Sequence, residues 1–284
     1  MKITGKTTQL CVIGDPISHS FSPQIHNFIT EYMGLDYTYS AYLVKPEELK
    51  DAVAGMRAFN IRGMNVTAPH KIEVMKYIDN ISPEAAVLGS VNTVVNDNGT
   101  LWGYNTDCDG FIMSLLNAGI TVNGKNILVM GCGGVVMPTL IGLIKEKPAG
   151  ITLLNRTKSK AEGYAETIYK STDFKIDTEL ATSDFDIVIN TTTAGMASQK
   201  DVLPWDNIEE LKDIDFINKN TSAVDMIYNP PCTKFLEYAK KKGAKTLNGL
   251  DMLIYQAIIA YEHFTDVKLP QDIADRIRGE VFGL

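Results

Sequence analysis

Short apolar runs alternate with amphipathic stretches along most of this chain, and this alternation limits its fold more than any other feature. The run Leu10–Ile13 is followed by a helical pattern over 23–33, and Asp36–Tyr42 is followed by another near 46–59. Strands that alternate with helices in this way predict an α/β fold built on a parallel-rich sheet. We therefore expect an α/β lobe in the N-terminal part of the chain.

The alternation pauses near the middle of the chain and then restarts. A helical stretch over 110–116 leads to the turn signal Asn123-Gly124. The pattern beyond this turn predicts a Rossmann-type, doubly wound second lobe. Its predicted strands are 126–130, 150–154, 187–190 and 222–227, and its predicted helices are 134–145 and 158–171.

Apolar side chains recur at helical spacing near the C-terminus, from Leu250 to Tyr261. We expect these C-terminal helices to pack back onto the first lobe. The chain is therefore predicted to consist of three segments, 1–107, 108–245 and 246–284, with the lobe boundary along the helix that follows Asp107.

Composition excludes several classes of protein. The chain has 284 residues, of which 45% are hydrophobic, and this is enough to bury the cores of two lobes. The net charge is -7, from 27 basic and 34 acidic side chains without a basic cluster, so no nucleic-acid or anionic membrane surface is expected. No apolar run reaches the ~18 residues of a membrane span, and no apolar signal stretch follows Met1.

The spacing of cysteine and histidine argues against a metal site. The four cysteines lie far apart in the sequence, at Cys11, Cys108, Cys132 and Cys232. Without a Cys-x-x-Cys pair or a cysteine–histidine cluster, they are expected to be reduced thiols. Three histidines also lack ligand spacing with a carboxylate, so polar or capping roles are expected for His19, His26 and His70. We expect a soluble cytoplasmic protein without a bound metal.

Two separated loops carry the polar side chains of greatest chemical interest. The first is the run from Asn65 to Lys71, which follows a strand candidate, and the second is Asn105-Thr106-Asp107. Pro69 disfavours helix at Ala68, so Lys71 is expected to open a helix at the C-terminal end of that strand. Open α/β sheets bind their ligands at this end. A lysine, a carboxylate and several short polar groups suit proton transfer to a polyhydroxylated small molecule.

A glycine-rich loop, Gly131-Cys132-Gly133-Gly134, joins the strand 126–130 to the next helix. The backbone NH groups and the helix dipole at such a loop can receive a pyrophosphate. The residues that follow, Val135 to Pro138, are bulkier than this motif usually carries and would narrow the approach. A glycine turn that binds no nucleotide is the alternative that the loop leaves open.

The end of the next strand indicates which dinucleotide is preferred. It reads Asn155-Arg156-Thr157, about 20 residues beyond the glycines, where an NAD site would place an acidic residue for the ribose 2′-hydroxyl. Arg156 can instead pair with a 2′-phosphate, with Thr157 and Lys158 or Lys160 assisting. A purely solvated role is less favoured because cations at a helix N-terminus oppose the helix dipole. NADP is therefore predicted in preference to NAD.

Ordered motifs along nearly the whole chain match those of a known family. They are Val12–Ile17, His19–Pro23, His26-Asn27, Asn65–Lys71, Gly89–Thr93, Gly103–Asp107, Asn155–Thr157, Asn190–Thr192, Gly195-Met196, Asp225–Pro230 and Gly249–Ala257. Through these motifs the chain resembles the shikimate dehydrogenase family, which includes shikimate-specific and quinate/shikimate enzymes. The resemblance implies reversible, NADP-linked hydride transfer between shikimate and 3-dehydroshikimate, with reduction as the biosynthetic direction of the shikimate pathway.

The resemblance also implies roles for individual residues. Lys71 is the implied acid and base, and Asp107 orients it and hydrogen-bonds the reacting hydroxyl. The implied substrate-binding residues are Ser20, Ser22, Asn65, Thr67, Lys71, Asn92, Asp107, Tyr228 and Gln256. The expected cofactor-binding residues are Gly131, Gly133, Gly134, Asn155, Arg156, Thr157, Lys160, Thr191, Met226 and Gly249. Short donors and acceptors of this kind suit a ring that bears one carboxylate and three hydroxyls.

The three predicted segments then acquire functions. Residues 1–107 are expected to bind the substrate and carry the catalytic pair, 108–245 to bind NADP, and 246–284 to pack on the substrate domain. Two other functions stay open: a quinate/shikimate enzyme with relaxed substrate or NAD use, and a non-catalytic shikimate-binding paralogue. Retention of both Lys71 and Asp107 counts against the paralogue. Monomer and homodimer are both compatible with the sequence.

Overall fold

The computed structural model, which describes residues 2–284, confirms an α/β fold. The strands are β1 (Thr8–Gly14), β2 (Tyr37–Leu43), β3 (Gly63–Val66), β4 (Asn80–Ile81), β5 (Thr93–Asp97), β6 (Thr100–Tyr104), β7 (Asn126–Met130), β8 (Gly150–Leu154), β9 (Ile187–Asn190), β10 (Ser222–Asp225) and β11 (Lys245–Leu247). The α-helices are α1 (Ser22–Met33), α2 (Leu49–Ala58), α3 (Pro83–Leu88), α4 (Asp107–Asn117), α5 (Val136–Lys145), α6 (Lys158–Thr172), α7 (Lys234–Lys241), α8 (Leu250–Thr265) and α9 (Ile273–Phe282). Short 3-10 helices lie at Pro46–Glu48, Glu73–Lys76, Ala197–Gln199 and Glu209–Leu211.

The chain divides into two compact units. One consists of Met1–Gly110 together with Ile254–Leu284, and the other is Phe111–Leu253. The functions that the sequence suggests for these parts stay predictions.

The first unit is built on a six-stranded sheet of order β2-β1-β3-β5-β6-β4. Strands β2, β1 and β3 are parallel, whereas β5 is antiparallel to both β3 and β6. The β5–β6 hairpin turns at Asn98-Gly99, where both residues have positive φ (52° and 93°). Such an Asn-Gly pair favours the type I′ hairpin turn. The sheet is therefore mixed, and the parallel-rich prediction holds for its β2-β1-β3 half.

Helices α8 and α9 supply the C-terminal part of the first unit. The Arg62 guanidinium donates from Nε to the Phe264 carbonyl oxygen at 2.8 Å and contacts the Asp266 carboxylate at 2.9 Å. The hydroxyls of Thr30 in α1 and Tyr261 in α8 are hydrogen-bonded at 2.8 Å. These contacts confirm the prediction that the C-terminal helices return to the first lobe.

The second unit contains a five-stranded, fully parallel sheet of order β11-β10-β9-β7-β8. The chain runs from β7 outward to β8 on one side, and from β9 to β11 on the other, so the order reverses between β7 and β9. Doubly wound sheets bind ligands beyond the carboxyl ends of the strands at this switch point. The Rossmann-type prediction is confirmed, and α7 and β11 are additions to the elements expected from the sequence.

Two negative findings apply to residues 2–284. No helix there is both long enough and apolar enough to cross a bilayer. No three side chains of His, Cys, Asp or Glu are grouped there so that they could hold a metal ion.

His26 is a core side chain of the first unit rather than the polar or capping residue expected from the sequence. It is 1% exposed, and its ring stacks on Tyr39 with 4.1 Å between centroids and 6° between planes. Within residues 2–284, neither ring nitrogen has a hydrogen-bond partner. Burial lowers the pKa of His26 from 6.5 to about 3, because an imidazolium would lose its hydration there. The folded protein therefore holds this ring in the neutral form.

We expect His26→Phe to remove a pH-dependent loss of stability. Above pH 6.5 the ring is neutral in both the folded and unfolded states, whereas below it only the unfolded chain gains a proton, because the folded pKa is about 3. Between pH 7 and pH 5 this lowers the free energy of unfolding by roughly 2 kcal/mol. Urea unfolding of wild type and His26→Phe at both pH values measures the difference. Equal changes with pH in the two proteins would contradict the prediction.

Candidate active site

Several loops of the first unit meet at one edge of its sheet. Strands β1, β3 and β6 end at this edge, and the antiparallel strand β5 begins there. The loop before β5 is joined to the loop after β3 by a backbone hydrogen bond from Val91 N to Lys71 O at 2.8 Å. The topology thus brings together residues that are far apart in the sequence.

Lys71 lies in a turn and not at the start of a helix. His70 N donates to Thr67 O at 2.9 Å, and the following 3-10 helix begins only at Glu73. The buried His70 ring is fixed as well, because its Nε2 atom lies 2.7 Å from the Val44 carbonyl oxygen. The prediction that Lys71 opens a helix is therefore wrong. These bonds hold the chain in a turn, and His70 has the polar structural role expected from the sequence.

Lys71 and Asp107 form an ion pair at this edge. The Lys71 Nζ donates to Asp107 Oδ2 at 2.6 Å, with the two side chains 22% and 8% exposed. Asp107 is the first residue of α4, where the helix dipole favours a negative charge. Its backbone NH donates to Asn105 Oδ1 at 3.0 Å, and Asn105 Nδ2 in turn donates to Ser90 Oγ at 2.9 Å. The carboxylate is thus fixed from several directions, while the ammonium keeps some exposure.

The Asn92 amide is committed to neighbouring protein groups. Its Nδ2 donates to Asp107 Oδ1 at 2.9 Å and to Thr106 Oγ1 at 3.0 Å. Its Oδ1 accepts from the Thr93 hydroxyl and from Thr106 N, each at 2.9 Å. Asn92 therefore fixes the oxygen of Asp107 that Lys71 does not contact.

The Asn65 amide is held in the same way. Its Oδ1 accepts from the Tyr39 hydroxyl at 2.7 Å, while its Nδ2 donates to Thr93 Oγ1 at 3.0 Å and to Asn92 O at 3.2 Å. Both amide hydrogens of Asn65 and both of Asn92 are thus donated within the protein. In this arrangement the hydrogen-bonding capacity that Asn65 keeps for a ligand is one lone pair of its Oδ1.

Three more of the expected substrate residues lie where β1 and β3 end. Ser20 precedes α1 and Ser22 begins it, and the backbone NH of Ser22 donates to Ser20 Oγ at 3.3 Å. Thr67 N donates to Ile13 O at 3.0 Å. A Cβ added to Gly14 would lie only 2.4 Å from the Thr67 methyl carbon, so this glycine lets Thr67 sit against the end of β1.

Gln256 and Tyr228 lie in different units. A Cβ added to Gly110 would lie 2.7 Å from Gln256 N, so this glycine allows α8 to approach α4 about one turn beyond Asp107. Tyr228 follows β10 in the second unit, and burial raises its pKa. The structure thus brings Gln256, but not Tyr228, into the unit that holds Lys71 and Asp107.

The glycine loop of the second unit lies against the loop after β9. Gly131 has a φ of +109°, and a Cβ there would lie 2.5 Å from the Thr192 methyl carbon. The Thr191 hydroxyl donates to the backbone of this loop, 2.9 Å from the Gly131 carbonyl oxygen. Thr191 thus holds the loop from its buried side, while Gly133 and Gly134 are exposed. Val136 is fully buried in the core, so it does not narrow the approach as the sequence suggested.

A pocket of about 220 Å³ opens beside this loop. Five of the expected cofactor residues line it: Gly131, Asn155, Arg156, Thr157 and Lys160. Its wall also includes Cys132 of the glycine loop and Thr192, together with Thr193, Gln199 and Asn207, none of which was on the expected list of cofactor-binding residues. Thr192 could have been expected at this pocket because it belongs to the Asn190–Thr192 motif, whereas Gln199 and Asn207 belong to no motif that the sequence analysis identified.

Arg156 and Lys160 are available cations at this pocket. Lys158 is already paired with Glu179 at 2.6 Å, but within residues 2–284 neither Arg156 nor Lys160 forms an ion pair. Burial raises the pKa of the Cys132 thiol to about 11, and the Lys160 ammonium opposes this shift. A positive charge therefore lies close to the glycine loop.

Met226 and Gly249 lie together in the second unit. A Cβ on Gly249 would lie 2.3 Å from the Met226 carbonyl oxygen, so the close backbone approach that Gly249 permits is to Met226. The preceding Asp225 is fully buried and accepts from the Thr233 hydroxyl at 2.5 Å and from Asn190 Nδ2 at 3.0 Å. Burial raises the pKa of Asp225 to about 6. These bonds fix the chain that leads from β10 to Met226.

A Rossmann-type unit with a glycine loop, and an α/β unit with a fixed lysine–aspartate pair, are elements that a nucleotide-dependent oxidoreductase requires. Residues 12–94 match the model of the shikimate dehydrogenase substrate binding domain, and residues 249–275 match that of the shikimate 5′-dehydrogenase C-terminal domain. A shikimate dehydrogenase (NADP(+)) of Alkaliphilus oremlandii is 41% identical, with 95% of this chain and 96% of that protein covered. The chain belongs to the shikimate dehydrogenase family.

Two solved structures are similar along almost the whole chain. A shikimate dehydrogenase in complex with NADP+ is 38% identical, with a TM-score of 0.87 over 97% of this chain and 96% of that one. The shikimate 5-dehydrogenase of Listeria monocytogenes, in complex with shikimate and NAD, is 36% identical, with a TM-score of 0.87 over 98% of each chain.

We expect Gly131→Ala to destabilise the second unit, whereas Gly134→Ala leaves it nearly unchanged. The positive φ and the 2.5 Å approach to Thr192 penalise any side chain at Gly131, while nothing lies within 4 Å of a Cβ at Gly134. Strain of this kind costs roughly 1–3 kcal/mol, against about 0.5 kcal/mol or less for an unstrained surface change. Denaturant unfolding measures both variants, and equal stabilities would contradict the prediction.

Proposed function

We propose that this protein is an NADP-dependent dehydrogenase that interconverts shikimate and 3-dehydroshikimate. The observation that carries the proposal is the Lys71–Asp107 ion pair, fixed at the ligand-binding edge of an α/β sheet. Relatives that bear the name of this activity, at about 40% identity over nearly the whole chain, support it. In the cell we propose that it works in the shikimate pathway.

The proposed acid and base is Lys71. When the carbinol carbon loses hydride, its hydroxyl proton must also leave, and the Lys71 Nζ takes that proton. In the reducing direction a charged Lys71 returns it to the forming alkoxide. The hydrogen bond to Asp107 would keep the Lys71 Nζ in place and oriented for this transfer.

The proposed substrate ligands divide by chemistry. Ser20 and Ser22 would hold the ring carboxylate, together with Tyr228, which we carry over from the family motif alone. Hydroxyl groups would meet Thr67, Gln256 and the Asn65 carbonyl oxygen, as well as Lys71 and Asp107. Asn92 acts by holding Asp107, and it would have to exchange one of its present bonds to contact the substrate.

The residues of the second unit fit NADP. A Cβ at Gly131 or Gly133 would fill the space beside Thr191 and Thr192, so the loop needs glycine to leave its backbone NH groups accessible. Arg156 and Lys160, with Asn155 and Thr157, would hold the 2′-phosphate, and Gly134 the pyrophosphate. Thr191, Met226 and Gly249 are proposed to shape the nicotinamide end. NADP supplies the hydride acceptor or donor.

We propose that the protein is cytoplasmic and works as a monomer or a homodimer. All four cysteines are free thiols in the structure, and this supports a reducing compartment.

Replacing Lys71 tests the proposed function directly. We expect Lys71→Ala to lower kcat for shikimate oxidation by roughly 10³-fold, because general acid–base catalysis contributes on this scale. The matched control is Lys76→Ala, which removes an exposed lysine paired with Glu73 in the next 3-10 helix. The initial rate of nicotinamide reduction, with shikimate or quinate and with NADP or NAD, measures the effect.

The outcomes of this assay separate the alternative functions. Rapid oxidation of shikimate with NADP that fails only in Lys71→Ala supports the proposal. Equal rates with quinate or NAD would assign the relaxed quinate/shikimate activity instead. Wild-type protein that binds shikimate without turnover in any combination would identify a non-catalytic binding protein.

Replacing Arg156 tests the choice of cofactor. We expect Arg156→Ala to raise KM for NADP by roughly 10–100-fold and to leave KM for NAD little changed, because a charge-assisted bond to the 2′-phosphate is lost. Lys158→Ala is the control, since Lys158 is already paired with Glu179. Similar losses for both nucleotides would contradict a role for Arg156 in recognising the 2′-phosphate.

A further inference from the structure

Two buried hydroxyls, those of Tyr39 and Thr93, lie in one continuous chain of hydrogen bonds with the catalytic pair. The Tyr39 hydroxyl donates to Asn65, Asn65 to Thr93, and Thr93 to Asn92, over 2.7, 3.0 and 2.9 Å. Asn92 then donates to Asp107 Oδ1 at 2.9 Å, and Lys71 donates to the other oxygen of this carboxylate at 2.6 Å. Tyr39 is 2% exposed and Thr93 is fully buried, so neither hydroxyl is on a surface that a ligand reaches.

The direction of every bond in this chain is determined. An Asn65 carbonyl oxygen can only accept, so the Tyr39 hydroxyl must donate to it, and the Asn65 NH2 group faces two acceptors, Thr93 Oγ1 and Asn92 O. A flipped Asn65 amide would place its oxygen against the Asn92 carbonyl oxygen. The Thr93 hydroxyl donates its single hydrogen to Asn92 Oδ1, so the Asn92 NH2 group faces Asp107 and donates to it. Each amide is therefore held in one of its two orientations.

We propose that Tyr39 and Thr93 are positioning residues for the proposed dehydrogenase reaction. Tyr39 fixes the Asn65 carbonyl oxygen that meets a substrate hydroxyl, and Thr93 couples Asn65 to Asn92 and so to the carboxylate of Asp107. This inference rests on the proposed function, because it assigns a role toward the substrate to groups that do not touch it.

Tyr39 lies at the end of the hydrogen-bond chain that leads to Asn65, a proposed substrate ligand. Its ring is held independently of its hydroxyl, by stacking on His26 at 4.1 Å, so Tyr39→Phe removes the hydroxyl with little disturbance of packing. Burial raises the pKa of Tyr39 well above 10, and a hydrogen bond with the Ser22 side chain opposes this shift. The phenol therefore keeps its proton and donates it in a hydrogen bond to Asn65 of β3, a proposed substrate ligand.

Thr93 acts between the two asparagines. It is the first residue of β5, and it pairs with Asn65 of β3 and with Tyr104 of β6 in the antiparallel ladder. Thr93→Val keeps the β-branched shape but leaves Asn65 Nδ2 and Asn92 Oδ1 each without one partner. Thr93→Ser restores the hydroxyl and removes only a methyl group.

The experiment compares these variants with a matched pair elsewhere in the first unit. The hydroxyls of Tyr261 and Thr30 are also buried and hydrogen-bonded at 2.8 Å, so Tyr261→Phe and Thr30→Val remove the same chemical groups. For each purified protein we would measure kcat, KM for shikimate, KM for NADP, the dissociation constant of shikimate by calorimetry, and the melting temperature. A purely structural role would change the melting temperature in all four substitutions and leave the kinetic constants alike.

We expect Tyr39→Phe to raise KM and the dissociation constant for shikimate roughly 10-fold, with kcat and KM for NADP near wild type, as the loss of one buried hydrogen bond implies. Thr93→Val should also lower kcat roughly 10-fold, because Asp107 loses the support that reaches it through Asn92. Thr93→Ser should recover most of this loss, and the control pair should keep wild-type constants.

Three results would overturn the inference. One is wild-type kinetics and shikimate affinity in both Tyr39→Phe and Thr93→Val. Another is an equal kinetic loss in the control pair, which would mean that lowered stability alone is responsible. The third is a Thr93→Ser variant as impaired as Thr93→Val. Wild-type protein that neither binds nor oxidises shikimate would overturn the proposed function itself, and the calorimetric measurement distinguishes that case.

Discussion

Polar side chains buried at one edge of the first sheet must find partners, and the arrangement of the catalytic pair depends on this constraint. Asn65, Asn92 and Thr93 are 7%, 3% and 0% exposed. A buried amide or hydroxyl without a partner costs about 1–3 kcal/mol, so each of these groups is stable only where its neighbours satisfy it. The antiparallel β5 strand supplies Thr93 as its first residue, and Asn92 comes directly before it, because β5 begins at the edge where β3 ends. A sheet with only parallel strands would place that beginning at the opposite edge, away from Asp107.

The two units present their ligand-binding edges by different means. In the first unit side chains converge at this edge, and those of Asn65, Asn92, Lys71 and Asp107 are each hydrogen-bonded to another side chain. In the second unit the glycine loop presents backbone, and the constraint is the absence of side chains at Gly131 and Gly133. This difference explains why the bulky residues after the glycines are tolerated. Val136 faces the core, and the three residues Val136 to Pro138 form the first turn of α5. Backbone NH groups of a first turn make no hydrogen bond within the helix, so a proline there breaks none.

The sequence predicts the fold far better than it predicts the connections within the site. Apolar alternation is a local signal, and it located both units and the return of the C-terminal helices. The sequence also contains the Asn98-Gly99 hairpin signal, but the alternation of strands and helices predicts parallel strands, so the hairpin was not predicted. The turn at Lys71 depends on a bond from His70 to a distant carbonyl group, which no local pattern reveals. Tyr39 reads as an ordinary strand residue, since its partner Asn65 is known only once β1 lies between β2 and β3. The family motifs name the polar residues, and their roles toward substrate stay predictions.

The hydrogen bonds of Asn65 and Asn92 also affect which substrates such a site could distinguish. The Asn65 carbonyl oxygen can only accept, and it already accepts from the Tyr39 hydroxyl, so a ligand hydroxyl would bond to its second lone pair and a ligand without that hydroxyl would leave this lone pair unused. Sites of this kind discriminate by roughly 10⁴–10⁵-fold against analogues that lack the group. Such a site discriminates much less against an analogue that carries one additional hydroxyl, because the polar groups of the site still have their partners. Quinate is such an analogue, since it has one hydroxyl more than shikimate. With the roles proposed above for Ser20 and Ser22, discrimination between these two acids would depend on the space around the ring near these serines, where an added hydroxyl would need room, and not on the fixed amides.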